Sequence, residues 1–490
     1  MIFSSVVFLF LFLPVVLAVN FLLPRSLRNF WLMVMSLLFY AWGEGAFVVV
    51  MLGSIAANYG FGLAVAKLPA RGKTWVFAVS VLTNLAILAV FKYSNFLVST
   101  VNPLLAALHF APIVIKHVHL PIGISFFTFH AISYVADVYH ERTPVQRSAV
   151  NFALYETLFP QLVAGPIVRY QDVADQIDAR RETVAEFASG VRRFVTGLSK
   201  KVLIANILAA PADQIFALAP DKLTASVAWL GILFYALQIY FDFSGYSDMA
   251  IGLGRMLGFR FVENFNYPYV ARSIQDFWRR WHISLSTWFR DYFFIPLELA
   301  TRANPYPNLR VSINIMLMML LVGLWHGPSW NFVIFGGLHG LALVVNKLWT
   351  VWNPIKQLVK RPPVKFAWML CAHLLTLGVV LMGFVLFRAD TMPAALAYLQ
   401  AMGGWGLAGA STQSLALYID RVTSLAFAVG LIGSMPVVPY LRARLANQSL
   451  SPCLENTGLV VRLITFATLF LFCAMQLAAG TYNPFIYFRF

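Results

Sequence analysis

Apolar residues in this chain gather into long runs instead of alternating with polar ones. Ile315 to Trp325 and Phe332 to Val345 are apolar on nearly every face of a helix, whereas the strands of an outer-membrane barrel would alternate along short segments. The first run, Ile2 to Leu23, has no positive charge ahead of it and carries Arg25 and Arg28 behind it. That is the reverse of a cleavable signal peptide, so the run is expected to stay as the first membrane helix. Two spans follow, out past Glu44 and back to a basic loop at Lys67 to Lys73, with further runs near 75–91, 96–115, 120–139, 151–168, 194–210, 226–250, 311–325, 330–350, 366–387, 423–440 and 459–480. The pattern predicts roughly 10–13 transmembrane helices, each near the twenty residues that cross a bilayer. The longest polar stretches, around Arg169 to Glu186, Trp352 to Lys365 and Gly403 to Asp420, are each too short to fold alone. The expected fold is therefore all-α, a polytopic integral membrane protein with one membrane domain over residues 1–490.

Composition agrees with this pattern. Hydrophobic residues make up 60% of the 490 and charged residues 11%, against roughly 25% charged in a soluble domain, which excludes a water-soluble fold. The net charge of +16 would point to nucleic acid in a soluble protein. Here the basic residues lie between apolar spans, at Arg25 and Arg28, at Lys67, Arg71 and Lys73, and at Lys356, Lys360 and Arg361. Cytoplasmic loops collect such charge, so they place the amino terminus outside and imply membrane lipids as partners, with no nucleic acid. Cys371, Cys453 and Cys473 have no metal-ligand spacing, and no metal is expected.

Polar groups inside apolar spans are expensive and mark candidate sites. Three clusters stand out. Gln238 to Asp248 holds Asp242, Ser244, Tyr246 and Asp248, which predicts a broken or cavity-lining helix, or equally a set of groups gluing neighbouring helices. Phe277 to Tyr292 places Arg279, His282, Ser286 and Arg290 near one helical face, with Asp291 beside them. Tryptophans cover the rest, as in an interfacial or cavity-lining helix. Gly323 to Asn331 interrupts two apolar runs with Trp325-His326-Gly327-Pro328, and His339 follows Asn331 by about two turns. A buried neutral imidazole there can accept a substrate proton, which makes His326 the candidate general base and His282 a second candidate.

These clusters, in this order, resemble the membrane-bound O-acyltransferase (MBOAT) superfamily, and specifically its bacterial polysaccharide branch. The resemblance begins at Ile2-Phe3-Ser4-Ser5 and runs through Phe39-Tyr40-Ala41-Trp42, Phe91-Lys92-Tyr93, Leu120 to Phe126 and Pro160 to Ile167. It continues through Tyr240 to Gly254, Asn264-Phe265, Phe277 to Tyr292, Trp325-His326-Gly327 and Phe387 to Asp390, ending near Phe485 to Phe488, with the motif core at about 120–345. It implies broken or re-entrant helices around a thinned core, His326 as the essential catalytic residue and His282 as the second histidine. It also implies acetyl-CoA as a cytoplasmic donor with no bound cofactor. The acetyl group would cross the bacterial inner membrane to an exopolysaccharide acceptor, through periplasmic polysaccharide acetyltransferase subunits. Arg279, Arg280 and Arg290 are candidates for holding the anionic donor, since guanidinium pairs phosphate bidentately; Asn331 joins the core polar set. Pro296 to Ala300 departs from the Gly-Gly-Asn usual in alginate-type members, so alginate stands first and cellulose and peptidoglycan remain as alternatives. A transporter would also use broken spans and intramembrane polar groups, and a noncatalytic scaffold would tolerate loss of His326.

Overall fold

The computed structural model describes residues 1–352, 362–405, 414–445 and 452–484, and among these every regular element is a helix. Eight stretches are long and apolar enough to cross a membrane, accompanied by shorter apolar helices at Phe8–Leu22 and Arg421–Gly433. Arg25–Lys67 is 43 residues long, about twice what a bilayer requires. It divides where Gly45 adopts φ +54°, giving helices Arg25–Glu44 and Val48–Lys67. The chain is a multi-pass, all-α membrane protein.

Three expected spans take another form; one of them, 423–440, divides into helices Arg421–Gly433 and Val437–Leu445. The run 151–168 folds as short buried helices, Ala149–Thr157 and Phe159–Leu162, followed by turns around Gly165 and Pro166. The run 96–115 is helical only to Ala107 and then leaves regular structure before Pro112, which cannot donate to a helix. Cys371 is exposed and Cys473 buried. The Lys356, Lys360 and Arg361 loop, the side chain of Cys453 and the Phe485 to Phe488 element lie outside the described residues.

The centre of the bundle is helix Ala225–Met256, and here the expected break is absent. Gln238 to Asp248 runs through it as continuous, buried helix. Its acids are neutralised from alongside, so the backbone has no need to open. Asp242 lies 2.7 Å from the Lys201 ammonium, both residues 2% exposed, and Asp248 takes Arg193 at 2.6 Å and Lys200 at 2.7 Å. Close approach of helix Val184–Lys200 makes these pairs possible: a Cβ on Gly245 would sit 2.7 Å from the Gly197 carbonyl oxygen. Tyr246 stacks on Phe3 at 4.5 Å, fastening the amino-terminal segment to the core, and Ser244 is buried on the same helix. Asp242→Asn leaves the Lys201 ammonium without its carboxylate. It is expected to cost about 3–5 kcal/mol, read as a large drop in the aggregation temperature of detergent-purified protein.

Candidate active site

Helix Pro307–His326 stops at its own histidine. Gly327 is extended and Pro328 lacks an N–H, so the helix cannot continue, and a new one starts at Trp330. A helix that ends inside a membrane protein leaves its last carbonyls in need of donors. Two neighbouring residues of another helix supply them: the Tyr93 hydroxyl donates to Leu324 O at 2.8 Å, and the Lys92 ammonium donates to Trp325 O. Beyond the break, Asn331 Nδ2 donates to Ala389 O at 2.7 Å, tying the restart to the Phe387 to Asp390 segment.

His326 is 8% exposed, with ring centroids of Trp325 and Phe387 each 5.0 Å away and Phe335 at 5.8 Å. It lines a cavity of about 370 Å³ whose wall also includes Lys92, His119, Ser125, Phe126 and Trp325. His119 at the rim lies 3.3 Å from Glu44, at the far end of the twenty-residue helix that starts at Arg25.

The second cluster is two helices instead of one. Ile274–Arg280 and Ile283–Phe289 meet at His282, whose φ of +44° is left-handed. Such a conformation is rare and costly for a non-glycine residue, and it is held only where the surroundings fix it. The single face expected for Arg279, His282, Ser286 and Arg290 is therefore lost. What fixes His282 is Asn264. The Asn264 Oδ1 accepts from the Ser284 backbone N–H at 3.2 Å and from its hydroxyl at 2.9 Å, while Nδ2 donates to Ser247 at 3.0 Å. The oxygen thus faces His282 Nδ1 at 3.2 Å, so Nδ1 carries the proton and Nε2 the lone pair in the neutral ring. The His282 ring meets Trp325 at 5.9 Å, which places one indole against both imidazoles. His339 lies behind Phe335, with ring centroids 4.6 Å apart, and its Nδ1 accepts from Trp278 Nε1 at 3.3 Å.

Trp325 also lines a second cavity, of about 850 Å³, walled by Phe129, Trp288, Phe289, Leu321 and Leu324. At one end it is lined by His140, Arg142, Asp291 and Tyr292. This is the end carrying the Lys67 to Lys73 loop, since Lys73 pairs with Glu141 at 2.7 Å and Thr74 with Tyr139 at 3.0 Å. Arg169 joins the mouth through Asp291 at 2.6 Å, and Arg290 contacts the same carboxylate at 2.7 Å. Burial, then the neighbouring Arg142 and Lys73, hold the His140 imidazole below the usual histidine range. Arg142, Arg169 and Arg290 bring three guanidinium groups to this mouth. Arg279 and Arg280 do not line it; Arg280 pairs with Asp276 at 2.8 Å and donates to Asn266 O. Pro296 is the one residue of the departing 296–300 segment on the cavity wall, while Glu298 turns away to Arg310 and Asn314. Among the described residues no cluster of three or more histidine, cysteine or acidic groups fits a metal.

Four residues of this arrangement are not assigned to the site from sequence, although Lys92 and Asn264 lie in elements of the resemblance: Lys92, Arg142, Arg169 and Asn264. Lys92 carried a usable signal, a cation inside an apolar run, whereas the two arginines and Asn264 gain meaning only from contacts distant in sequence.

The family model described as MBOAT, membrane-bound O-acyltransferase family, matches residues 116–384. The chain is 40% identical to a probable alginate O-acetylase of Azotobacter vinelandii, with all of both chains covered. It is 35% identical to a peptidoglycan O-acetyltransferase of Helicobacter pylori, over 82% of this chain and 80% of the relative. A teichoic acid D-alanyltransferase of Streptococcus thermophilus is 27% identical over 54% of this chain and 68% of its own length.

Proposed function

The chain belongs to the membrane-bound O-acyltransferase family and is an O-acyltransferase, and we propose that it carries acetyl groups from acetyl-CoA at one membrane face towards a polysaccharide at the other. One observation carries this reading. One cavity reaches the Lys67 to Lys73 end of the bundle, the other is lined by His119 beside Glu44 towards the opposite end, and the two share Trp325 as a wall, with His326 the next residue. The larger, apolar cavity suits the slender pantetheine arm of a thioester, with Arg142, Arg169 and Arg290 around the mouth for the donor's phosphates. Lys67 to Lys73 at that mouth makes it the cytoplasmic one by the positive-inside rule. The smaller cavity admits the acceptor hydroxyl, with His326 as general base and His282, oriented by Asn264, as the supporting histidine. The bacterial inner membrane is the location this implies. Alginate is the first polymer by likeness to the alginate O-acetylases, and a periplasmic acetyltransferase is the partner that completes transfer.

The donor half is tested at Arg142. Arg142→Gln is expected to raise the apparent KM for acetyl-CoA about tenfold with kcat nearly unchanged, the effect of one charge-assisted contact discounted for partial exposure. Lys substitutions at Arg279 and Arg280, which lie off the cavity, should leave KM alone. The reverse pattern in membranes assayed with acetyl-CoA would move the donor mouth elsewhere.

A further inference from the structure

Two lysines are buried among the described residues, and they are provided for differently. Lys201 has Asp242 at 2.7 Å. Lys92 makes no ion pair among the described residues, and no acidic side chain lines the cavity it faces. Capping a helix end does not explain the charge, because Tyr93 caps the adjacent carbonyl, Leu324 O, with a neutral hydroxyl. An ammonium has three protons to donate. Trp325 O takes one and the Ser125 hydroxyl, at 3.2 Å, takes another, which leaves one for the cavity that Lys92 and His326 share. Lys92 also sits in a π-helical turn, Ala89–Tyr93, inserted in the long helix Ala70–Ala107, a local distortion common at functional positions. The Ser125 hydroxyl that Lys92 meets belongs to the first turn of the sixteen-residue helix Ile124–Tyr139, so the end of that helix that favours negative charge lies beside Lys92 on the cavity wall. A cation without a carboxylate and a helix start thus converge on one small space next to the candidate base.

We propose that Lys92, together with the start of helix Ile124–Tyr139, is the oxyanion site of acyl transfer, an assignment that rests on the reading of His326 as base. The acceptor oxygen attacks the thioester carbonyl carbon as His326 takes the hydroxyl proton, forming the C–O bond and moving the carbonyl electron pair onto oxygen. Lys92 donates a hydrogen bond to that oxygen and keeps its own proton throughout. When the intermediate collapses the C–S bond breaks, and the sulfur leaves as thiol with the proton returned by His326. Ester, thiol and neutral imidazole are the products.

The test compares cells whose only copy is wild type, Lys92→Gln, Lys92→Arg, Tyr93→Phe or His326→Ala, reading the initial rate of labelled acetate incorporation into exported polymer per membrane-inserted protein. Glutamine can still donate to the Trp325 carbonyl but carries no charge, so Lys92→Gln is expected to slow incorporation about 100- to 1,000-fold, the usual effect of removing an oxyanion donor. Tyr93→Phe, which removes only a cap, should stay within a few-fold of wild type. A fall of less than about thirty-fold in inserted Lys92→Gln, with His326→Ala inactive, overturns the Lys92 assignment and spares the base. An active His326→Ala overturns the base and this assignment with it. Where Lys92→Gln fails to accumulate, Lys92→Arg decides, since it keeps a cation: activity above about one tenth of wild type supports the oxyanion site and lower activity overturns it.

Discussion

Alginate from cells whose only copy carries His326→Ala should contain no more ester-linked acetate than alginate from a deletion strain, while the protein is made and inserted at wild-type levels. The imidazole sits among Trp325, Phe335 and Phe387 and forms no ion pair among the described residues. Truncating it therefore leaves no orphaned charge, and the stability loss should stay within the ordinary span of single substitutions, about 0.5–3 kcal/mol. The chemical loss is far larger, because a positioned base contributes roughly 10² to 10⁴ in rate, and slow background transfer does not accumulate visible ester. His282→Ala should impair acetylation less, since that ring acts from behind Trp325 and Asn264 Oδ1 keeps its Ser284 donors without it. Acetate released by mild alkali, set against protein in the membrane fraction, checks both. Normal acetylation of both alginate and peptidoglycan in His326→Ala at matched expression would sink the mechanism, and loss of acetate from peptidoglycan with alginate untouched would reassign the polymer.

Much of this molecule can be read from its sequence because the bilayer leaves few choices. Long apolar runs must become helices, and a Gly-Pro interruption bearing a histidine must be a helix end inside protein, which is how His326 lies. The sequence is less informative where a tertiary partner decides. The acids at 242 and 248 read equally as cavity-lining and as gluing groups; Lys201, Lys200 and Arg193, some forty to fifty-five residues upstream, neutralise them within an unbroken helix. The aligned face drawn through Arg279, His282 and Arg290 assumed a regular helix. Nothing local in Trp281-His282-Ile283 announces the left-handed turn, because Asn264 is its cause. The 151–168 run has span-like hydropathy yet is buried by other helices as two short pieces, so its apolar surface faces protein instead of lipid.

In sealed vesicles of known orientation, labelled acetyl-CoA supplied only at the face carrying the Lys67 to Lys73 loop should transfer label to an acceptor enclosed at the opposite face. The same donor on the opposite face should give none. Acetyl-CoA is a large polyanion that hydrocarbon excludes, whereas the acetyl group is small and neutral, so only the fragment has to pass. The arrangement around Trp325 fits that division. Its indole is packed between Phe129, stacked at 5.6 Å, and Phe126, edge-on at 5.6 Å, with Lys92 5.7 Å from its ring centre, so it closes the larger cavity from the smaller. The mouths lie apart by roughly 30 Å, the length of the twenty-residue helix from Arg25 to the Glu44 beside His119. Arg28 at its near end bonds Glu182, and Asn29 donates to Asn151, which donates to Asp178, the carboxylate that also takes Gln146, four residues past Arg142. A thioester entering beside Arg142 can thus present its carbonyl near Trp325 while its nucleotide stays in water. Label should be absent in His326→Ala vesicles, which separates transfer from leakage of the donor. Equal labelling from either face would mean that the two cavities serve one side, and labelling only from the His119 side would reverse both the orientation and the route.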